Sequence, residues 1–325
     1  ISGSAGRAAG AKPLLCRALS RIHVASLANP VSQDSPCRFV RILPAAFLAL
    51  MCWGEVGRSA DAVEKIQGQL SVRDALSAPG KPVRIEAKLT RTGLGQPGLG
   101  GEPLELLIEG GKAIQAMTGG DGRAWFDATC RMRGAYTLTV KVAGSPRVDS
   151  PDATGTLACW EHRRPILLVD LAALAKPFRA PFDLPPGLSL PVGSAEPEPI
   201  AEAAEELKRL TEYFYNILYL SWPQQGGWSG ETDAQTWLRR AKFPTGPLVT
   251  VRPGPAGLAE LLAQLKADGW DNVKVGIGRT KEFAETMVAH RIETVIFPAG
   301  SRDEDVPKKA HLIKDWREIR KKLRS

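Results

Sequence analysis

The stretch PILLVD, residues 165–170, is a run of apolar side chains that stops at a single carboxylate. A strand with one wet face alternates polar and apolar residues, whereas a strand apolar along its whole length is covered on both faces, as in a parallel sheet. Toward the C-terminus, strands of the same kind recur at 216–221 (NILYLS), 246–251 (GPLVTV), 272–278 (NVKVGIG) and 293–299 (ETVIFPA), with a short one at 311–316 (HLIKDW). Helical periodicity fills 202–214, 231–243, 257–269 and 281–291, and a basic helix closes the chain. The alternation predicts an α/β unit over 164–325 on a Rossmann-like parallel sheet. Ligands of such sheets bind beyond the carboxyl ends of the strands. Here those ends are Asp170, Ser221, Arg252, Gly278 with Arg279, and Pro298.

Toward the N-terminus the period changes. Short runs at 83–91, 104–110, 112–118, 123–130, 135–144 and 155–161 are separated by Gly, Pro and Asp. In 135–142, Tyr136, Leu138, Val140 and Val142 fall on one face, and Thr137, Thr139 and Lys141 on the other. Six or seven such strands predict an all-β two-sheet sandwich over 69–162. Gly93-Leu94-Gly95-Gln96-Pro97-Gly98 spells G-x-G-x-x-G, but a dinucleotide site needs a helix next. Gly100-Gly101-Glu102-Pro103 and another strand follow, so the segment reads as a loop.

The phrase GGDGRAWFDATCRMRGAYTLTVKVAGSPRVDSPDATGTLACW, 119–160, resembles bacterial immunoglobulin-like domains in its Asp121-Gly122 turn, its Gly134–Val142 strand and its last strand at 154–160. That resemblance implies a spacer or adhesive module without chemistry of its own. In the α/β unit, a first strand ending in Asp170, a second ending in Leu220-Ser221 and a fourth reading V-G-I-G resemble the haloacid dehalogenase-like phosphohydrolases. The phrasing LYLS, WLRRAKFPTGPLV and VKVGIGRTKEFAE is similar to their lipin-type and acid-phosphatase-like branch.

The resemblance implies a phosphatase logic. One Asp attacks phosphorus, a second two residues later protonates the leaving group, a hydroxyl and a cation hold the phosphoryl oxygens, and acids after the fourth strand complete a Mg²⁺ site. The D-x-D-x-T pattern falls on Asp170-Leu171-Ala172-Ala173-Leu174, so the nucleophile position is kept and the acid is Ala172. G-D-x-x-x-D falls on Gly278-Arg279-Thr280-Lys281-Glu282-Phe283, so both metal-binding acids are gone. Ser221 matches the hydroxyl. Arg252 is better placed for phosphate than Lys274, which lies inside a strand. The family's sheet order would set Asp170 against Arg279, a built-in cation replacing the metal ion.

General acid catalysis is worth about 10²- to 10⁴-fold, and phosphoryl transfer is mostly electrostatic stabilisation. Loss of both acid and metal predicts a silent domain that needs no cofactor. The competing reading is an active Mg²⁺-dependent extracytoplasmic phosphatase in which Glu282, Glu285 or Asp303 supplies a displaced ligand. A third is an adhesive or scaffold protein. Asp170 also reads as a helix N-cap, and Ser221 as a strand-end turn. Lys176 to Glu198 is Pro- and Gly-rich and too irregular for a cap domain, so the crevice is open and suits a polymeric or protein ligand. Trp222 and Trp228 bracket a Gln-Gly loop at the same edge that would stack on a sugar or peptide, or fold back on its own helix.

The chain has 325 residues, with 43 Lys and Arg against 35 Asp and Glu, a formal charge of +8. Half of that excess lies in residues 1–62, which carry seven basic and three acidic side chains. Within them, ILPAAFLALMCW at 42–53 follows Arg38 and Arg41 and precedes Ala60-Asp61-Ala62, a secretory signal pattern over 40–62. Residues 1–39 read as an upstream stretch or a misplaced start. The apolar run is shorter than the ~20 residues of a transmembrane helix, and Met51 before Cys52 argues against a lipid anchor. Export to the periplasm, envelope or medium follows, with no signal for specific nucleic-acid binding. Cys130 and Cys159 remain beyond the leader, as a disulfide or as two buried thiols. The four histidines form no i, i+4 pair, and no C-x-x-C, G-x-x-x-x-G-K or G-x-S-x-G is present, so zinc, P-loop and serine-hydrolase chemistry are without support.

Overall fold

The computed structural model describes residues 65–176, 197–222, 231–254, 256–298 and 306–323. The upstream stretch 1–39, the signal peptide expected at 40–62, Trp228, Asp303 and most of the segment between Lys176 and Glu198 lie outside the described residues. Among the described residues no helix is long and apolar enough to cross a membrane.

Nine strands, rather than six or seven, build the N-terminal half. One sheet has the order β6 (Arg123–Thr129), β3 (Pro82–Arg91), β1 (Ile66–Val72), β8 (Val148–Asp149). The other has β2 (Ala75–Ser77), β9 (Ala153–Cys159), β7 (Gly134–Val142), β4 (Pro103–Ile108), β5 (Ile114–Met117). β2 and β8 are three and two residues long, too short for a period of two to show. They pair in parallel with β9 and β1, which makes both sheets mixed. The inward phases of the two sheets meet in one core containing Leu70, Ile85, Leu89, Leu104, Phe126, Leu138 and Leu157. The glycine-rich segment at 93–98 is a turn between β3 and β4, with Gly93, Gly95 and Gln96 at positive φ, and a strand follows it. Cys130 and Cys159 are joined by a disulfide that ties the end of β6 to the end of β9, across the two sheets.

From Ile166 the chain forms a six-stranded sheet in the order β12 (Leu248–Thr250), β11 (Asn216–Ser221), β10 (Ile166–Asp170), β13 (Val273–Gly278), β14 (Glu293–Ile296), β15 (Ala310–Leu312). Every neighbouring pair is parallel. Leu167, Val169, Ile217, Tyr219, Val275 and Ile277 face one core, covered by α1 (Ala201–Tyr213) and α2 (Glu231–Arg240). Ile166, Leu168, Leu218 and Leu220 face the other, covered by α3 (Gly257–Ala267) and α4 (Lys281–Ala289). The strand read at 311–316 ends at Leu312 and gives way to a 3-10 turn at Trp316–Glu318, because Trp316 is needed in the core. The closing basic helix is a single turn, α5 (Ile319–Lys322). It is held by the buried Glu206 of α1, which accepts from Arg320 Nε at 2.6 Å and Arg209 Nη1 at 3.0 Å.

The described residues all belong to one compact unit. Ala78, Ala158 and Trp160 from the sandwich enter the same core as Ile166, Leu168, Leu262, Leu265 and Trp270. At the rim of this junction stands Asp74, in the turn between β1 and β2. Its Oδ1 accepts from Thr156 N at 2.6 Å and Gln235 Nε2 at 2.6 Å, and its Oδ2 from Leu248 N at 2.7 Å. One carboxylate thus joins the second sheet of the sandwich, α2 and the start of β12. Arg239 Nη2 adds a bond to Thr154 Oγ1 at 2.6 Å.

Two outcomes are expected. Asp74→Ala strands the Leu248 N–H and the Gln235 amide and lowers stability by roughly 3 kcal/mol, read as a shift in the urea midpoint; Asp74→Asn, which keeps acceptor oxygen, costs less. Replacing Cys130 and Cys159 by serine opens a cross-link spanning 29 residues of sequence and costs about 3 kcal/mol by loop entropy. Denaturation of the oxidised protein against the double variant measures it.

Candidate functional site

β10 ends at Asp170 between β11 and β13, with Asp170 paired in register to Leu220 and Val169 to Ile277. The order of the sheet therefore brings three of the singled-out residues to one edge: Asp170, Ser221 just past Leu220, and Arg279 just past β13. Ser221 is half-buried, and its hydroxyl has no hydrogen-bond partner among the described residues. Trp222 packs its ring against the core beneath α3 and α4.

Asp170 is 1% exposed. Its Oδ1 accepts from the Ala172 backbone N–H at 2.9 Å and caps the 3-10 turn Leu171–Ala173, while Oδ2 is buried with no hydrogen-bond partner. Burial pushes the carboxyl up to about 6. The Ala172 N–H and the Arg279 guanidinium oppose that rise, with smaller help from the Arg279 backbone N–H and the Trp222 indole. Arg279 acts on Asp170 through space rather than by a contact ion pair. Its Nη2 donates to the Ala175 carbonyl at 2.5 Å, and its Nε is buried without a partner. Burial lowers the guanidinium pKa, and Asp170 pulls it back. The cation thus hooks the far end of the turn that Asp170 begins.

The V-G-I-G strand has a packing reason. A Cβ on Gly278 would fall 2.3 Å from Cδ1 of Phe283, and one on Gly276 would fall 3.1 Å from Cγ of Met287. Both glycines lie on one face of β13 and let α4 settle against the sheet, with Thr280 capping that helix by accepting from Phe283 N at 3.2 Å. Phe283, at the second metal-acid position of the phosphatase pattern, is a core residue.

Arg252 is not brought to Asp170. Its side chain is 83% exposed and pairs with Glu260 at 3.2 Å, and it follows the edge strand β12, two strands or ~10 Å from β10. Lys274 is exposed near the start of β13. Glu282 is exposed on the first turn of α4, and Glu285 pairs with Lys281 at 3.9 Å. Among the described residues no three His, Cys, Asp or Glu side chains converge as metal ligands. The edge holds, among the described residues, a sequestered carboxylate, a guanidinium near it and a hydroxyl.

No family model matches the chain, and no curated protein matches it. Among solved structures, it is similar to the CARDB domain of a Pyrococcus furiosus protein at 17% identity, covering 30% of this chain and 90% of that one, with a TM-score of 0.23. Similarity to the D,D-heptose 1,7-bisphosphate phosphatase of Burkholderia thailandensis is at 11% identity over 50% of this chain and 99% of that one, TM-score 0.34. Similarity to invasin, a bacterial integrin-binding protein, is at 19% identity over 30% of this chain and 19% of that one, TM-score 0.23. These overlaps do not assign the chain to a family.

Two features lie outside the residues singled out in the sequence, and only one of them left a signal there. Asp74 looks like any turn carboxylate, and nothing local marks its partners, the farthest of which is 174 residues away. Trp125 carried a signal: in RAWFDATC the core takes Phe126, so the alternation points Trp125 outward, where it is 49% exposed beside a cavity at the opposite end of the parallel sheet.

The raised carboxyl pKa has a sign that can be measured. The unfolded Asp170 titrates near 3.8 and the folded one near 6, so the folded state holds the proton more tightly. The stabilisation this group contributes is full below about pH 4 and is lost as pH rises through 6. Asp170→Asn keeps the capping oxygen and removes the charge. It is expected to be more stable than wild type at pH 8, on the order of 1–3 kcal/mol, with the gap closing toward pH 4. Melting curves of both proteins across that range check it.

Proposed function

We infer that residues 164–325 form a haloacid dehalogenase-like domain that has lost its phosphatase chemistry, and that the protein, exported to the cell envelope or beyond, works by binding. The observation that carries this reading is the state of Asp170: it is buried, spends one oxygen on a turn, and faces Arg279 where a phosphatase of this kind would carry a metal-binding acid. An enzyme needs that carboxylate ionised, open and held by a divalent ion. A cation built into the chain gives the carboxylate a permanent counter-charge, and among the described residues no second carboxylate joins it as a ligand set for Mg²⁺, which usually takes one or two. The side chain at 172, where the general acid would stand, is a methyl group. The immunoglobulin-like reading of the N-terminal half, with the signal pattern at 40–62, supports display outside the cytoplasm.

The test is hydrolysis of p-nitrophenyl phosphate with Mg²⁺, together with melting curves with and without the ion. The reading expects no hydrolysis above an Asp170→Asn control and no metal-induced rise in Tm. Turnover that disappears in Asp170→Asn would instead establish the active Mg²⁺-dependent phosphatase.

A further inference from the structure

A cavity of about 470 Å³ opens at the end of the parallel sheet opposite to Asp170. One wall is the outward face of the sandwich, with Trp125 on β6 and Arg84 and Glu86 on β3. The other is the C-terminal end of α3, with Leu265, Asp268 and the Trp270 that follows it. Its size falls within the about 300–1,000 Å³ of small-molecule sites.

Trp125 sets the chemistry. The strand that carries it alternates strictly, and its other outward residues are Arg123, Asp127 and Thr129, so a large indole is out of character at this position. The residue is 49% exposed and its indole N–H makes no hydrogen bond among the described residues. An indole offers a flat apolar face and a donor at its rim. Around it the lining charges balance: Arg73, Lys81 and Arg84 are cationic, and Asp74, Glu86 and Asp268 are anionic. Arg73 and Glu86 pair at 3.1 Å, and Arg84 pairs with Asp127 at 3.3 Å, so neither sign dominates. Lys81 has no ion pair and Asp268 accepts only from Gln264 among the described residues, which leaves a strong donor and a strong acceptor on facing walls.

The floor is rigid. His162 Nδ1 donates to the Gly269 carbonyl at 2.8 Å, and its ring lies on Trp270 with centroids 4.1 Å apart. Trp270 in turn meets Trp160 edge-on at 6.4 Å, inside the core shared by the sandwich and the parallel sheet.

A polyanion would meet as many carboxylates as cations here, and a purely apolar ligand would strand charged groups on both walls. A ring with one C–H face and a rim of hydroxyls satisfies the indole, the donor and the acceptor together. We propose that this cleft between the sandwich and α3 is a carbohydrate-binding site for a neutral saccharide, with Trp125 as the stacking platform. The site does not rest on the silence of the Asp170 edge, which lies at the other end of the sheet.

The experiment titrates the full chain with cellotetraose, xylotetraose, chitotetraose and maltotetraose, following tryptophan fluorescence and calorimetric heat up to about 10 mM, the weak end of single-site affinities. At least one sugar is expected to bind. Trp125→Ala and Asp268→Ala, both solvent-facing changes, should each weaken that sugar by about tenfold or more while Tm stays within a degree or two of wild type. Asp170→Asn should bind it unchanged. Absence of binding across the four sugars overturns the proposal, as does binding that survives Trp125→Ala. Binding lost in Asp170→Asn also overturns it, since that would move the sugar to the opposite edge.

Discussion

The junction between the sandwich and the parallel sheet is the constraint from which the rest of the structure follows. Trp160 leaves β9 already buried, and six residues later Ile166 enters the central strand of the sheet within the same core. A connection this short, carrying an apolar side chain at each end, holds the two halves to one shared core. Asp74 then pins the rim, with three donors drawn from β9, α2 and the start of β12. Because those contacts gather at the amino ends of the parallel strands, the sandwich docks at that end and leaves the carboxyl edge clear. The docking also creates the cleft beside Trp125, which neither half would form alone.

At the carboxyl edge the governing quantity is the cost of an ionised group out of water. Burial pushes the Asp170 carboxyl up to about 6, and what holds it from rising further is chiefly the Ala172 N–H and the field of Arg279. An arginine in that place is a permanent counter-charge, always protonated and tied to the Ala175 carbonyl.

Much of the fold was legible in the residues. Continuous apolar runs announced the parallel strands, and alternation announced the sandwich, because both follow from which faces are dry. The three strands that escaped are β1, β2 and β8: two are too short to carry a period, and β1 mixes polar and apolar residues without a clear break before it. Of the edge residues, Asp170, Ser221 and Arg279 were legible because they sit at strand ends. Arg252 sits at a strand end too, but at the edge of the sheet, and strand order cannot be read from spacing. The cleft was not legible because its walls come from segments more than a hundred residues apart.

By itself, the sequence determined the two kinds of layer, the residues at which the strands end, and the presence of alanine, arginine and phenylalanine at 172, 279 and 283, since each depends on local periodicity or on residue type. Only the tertiary structure decided which strands are neighbours, that Cys130 meets Cys159, how deeply Asp170 is buried and where Asp74 finds its donors. Those depend on distances between residues far apart in the chain, which are set by the packing of whole layers and not by any side chain's own preference.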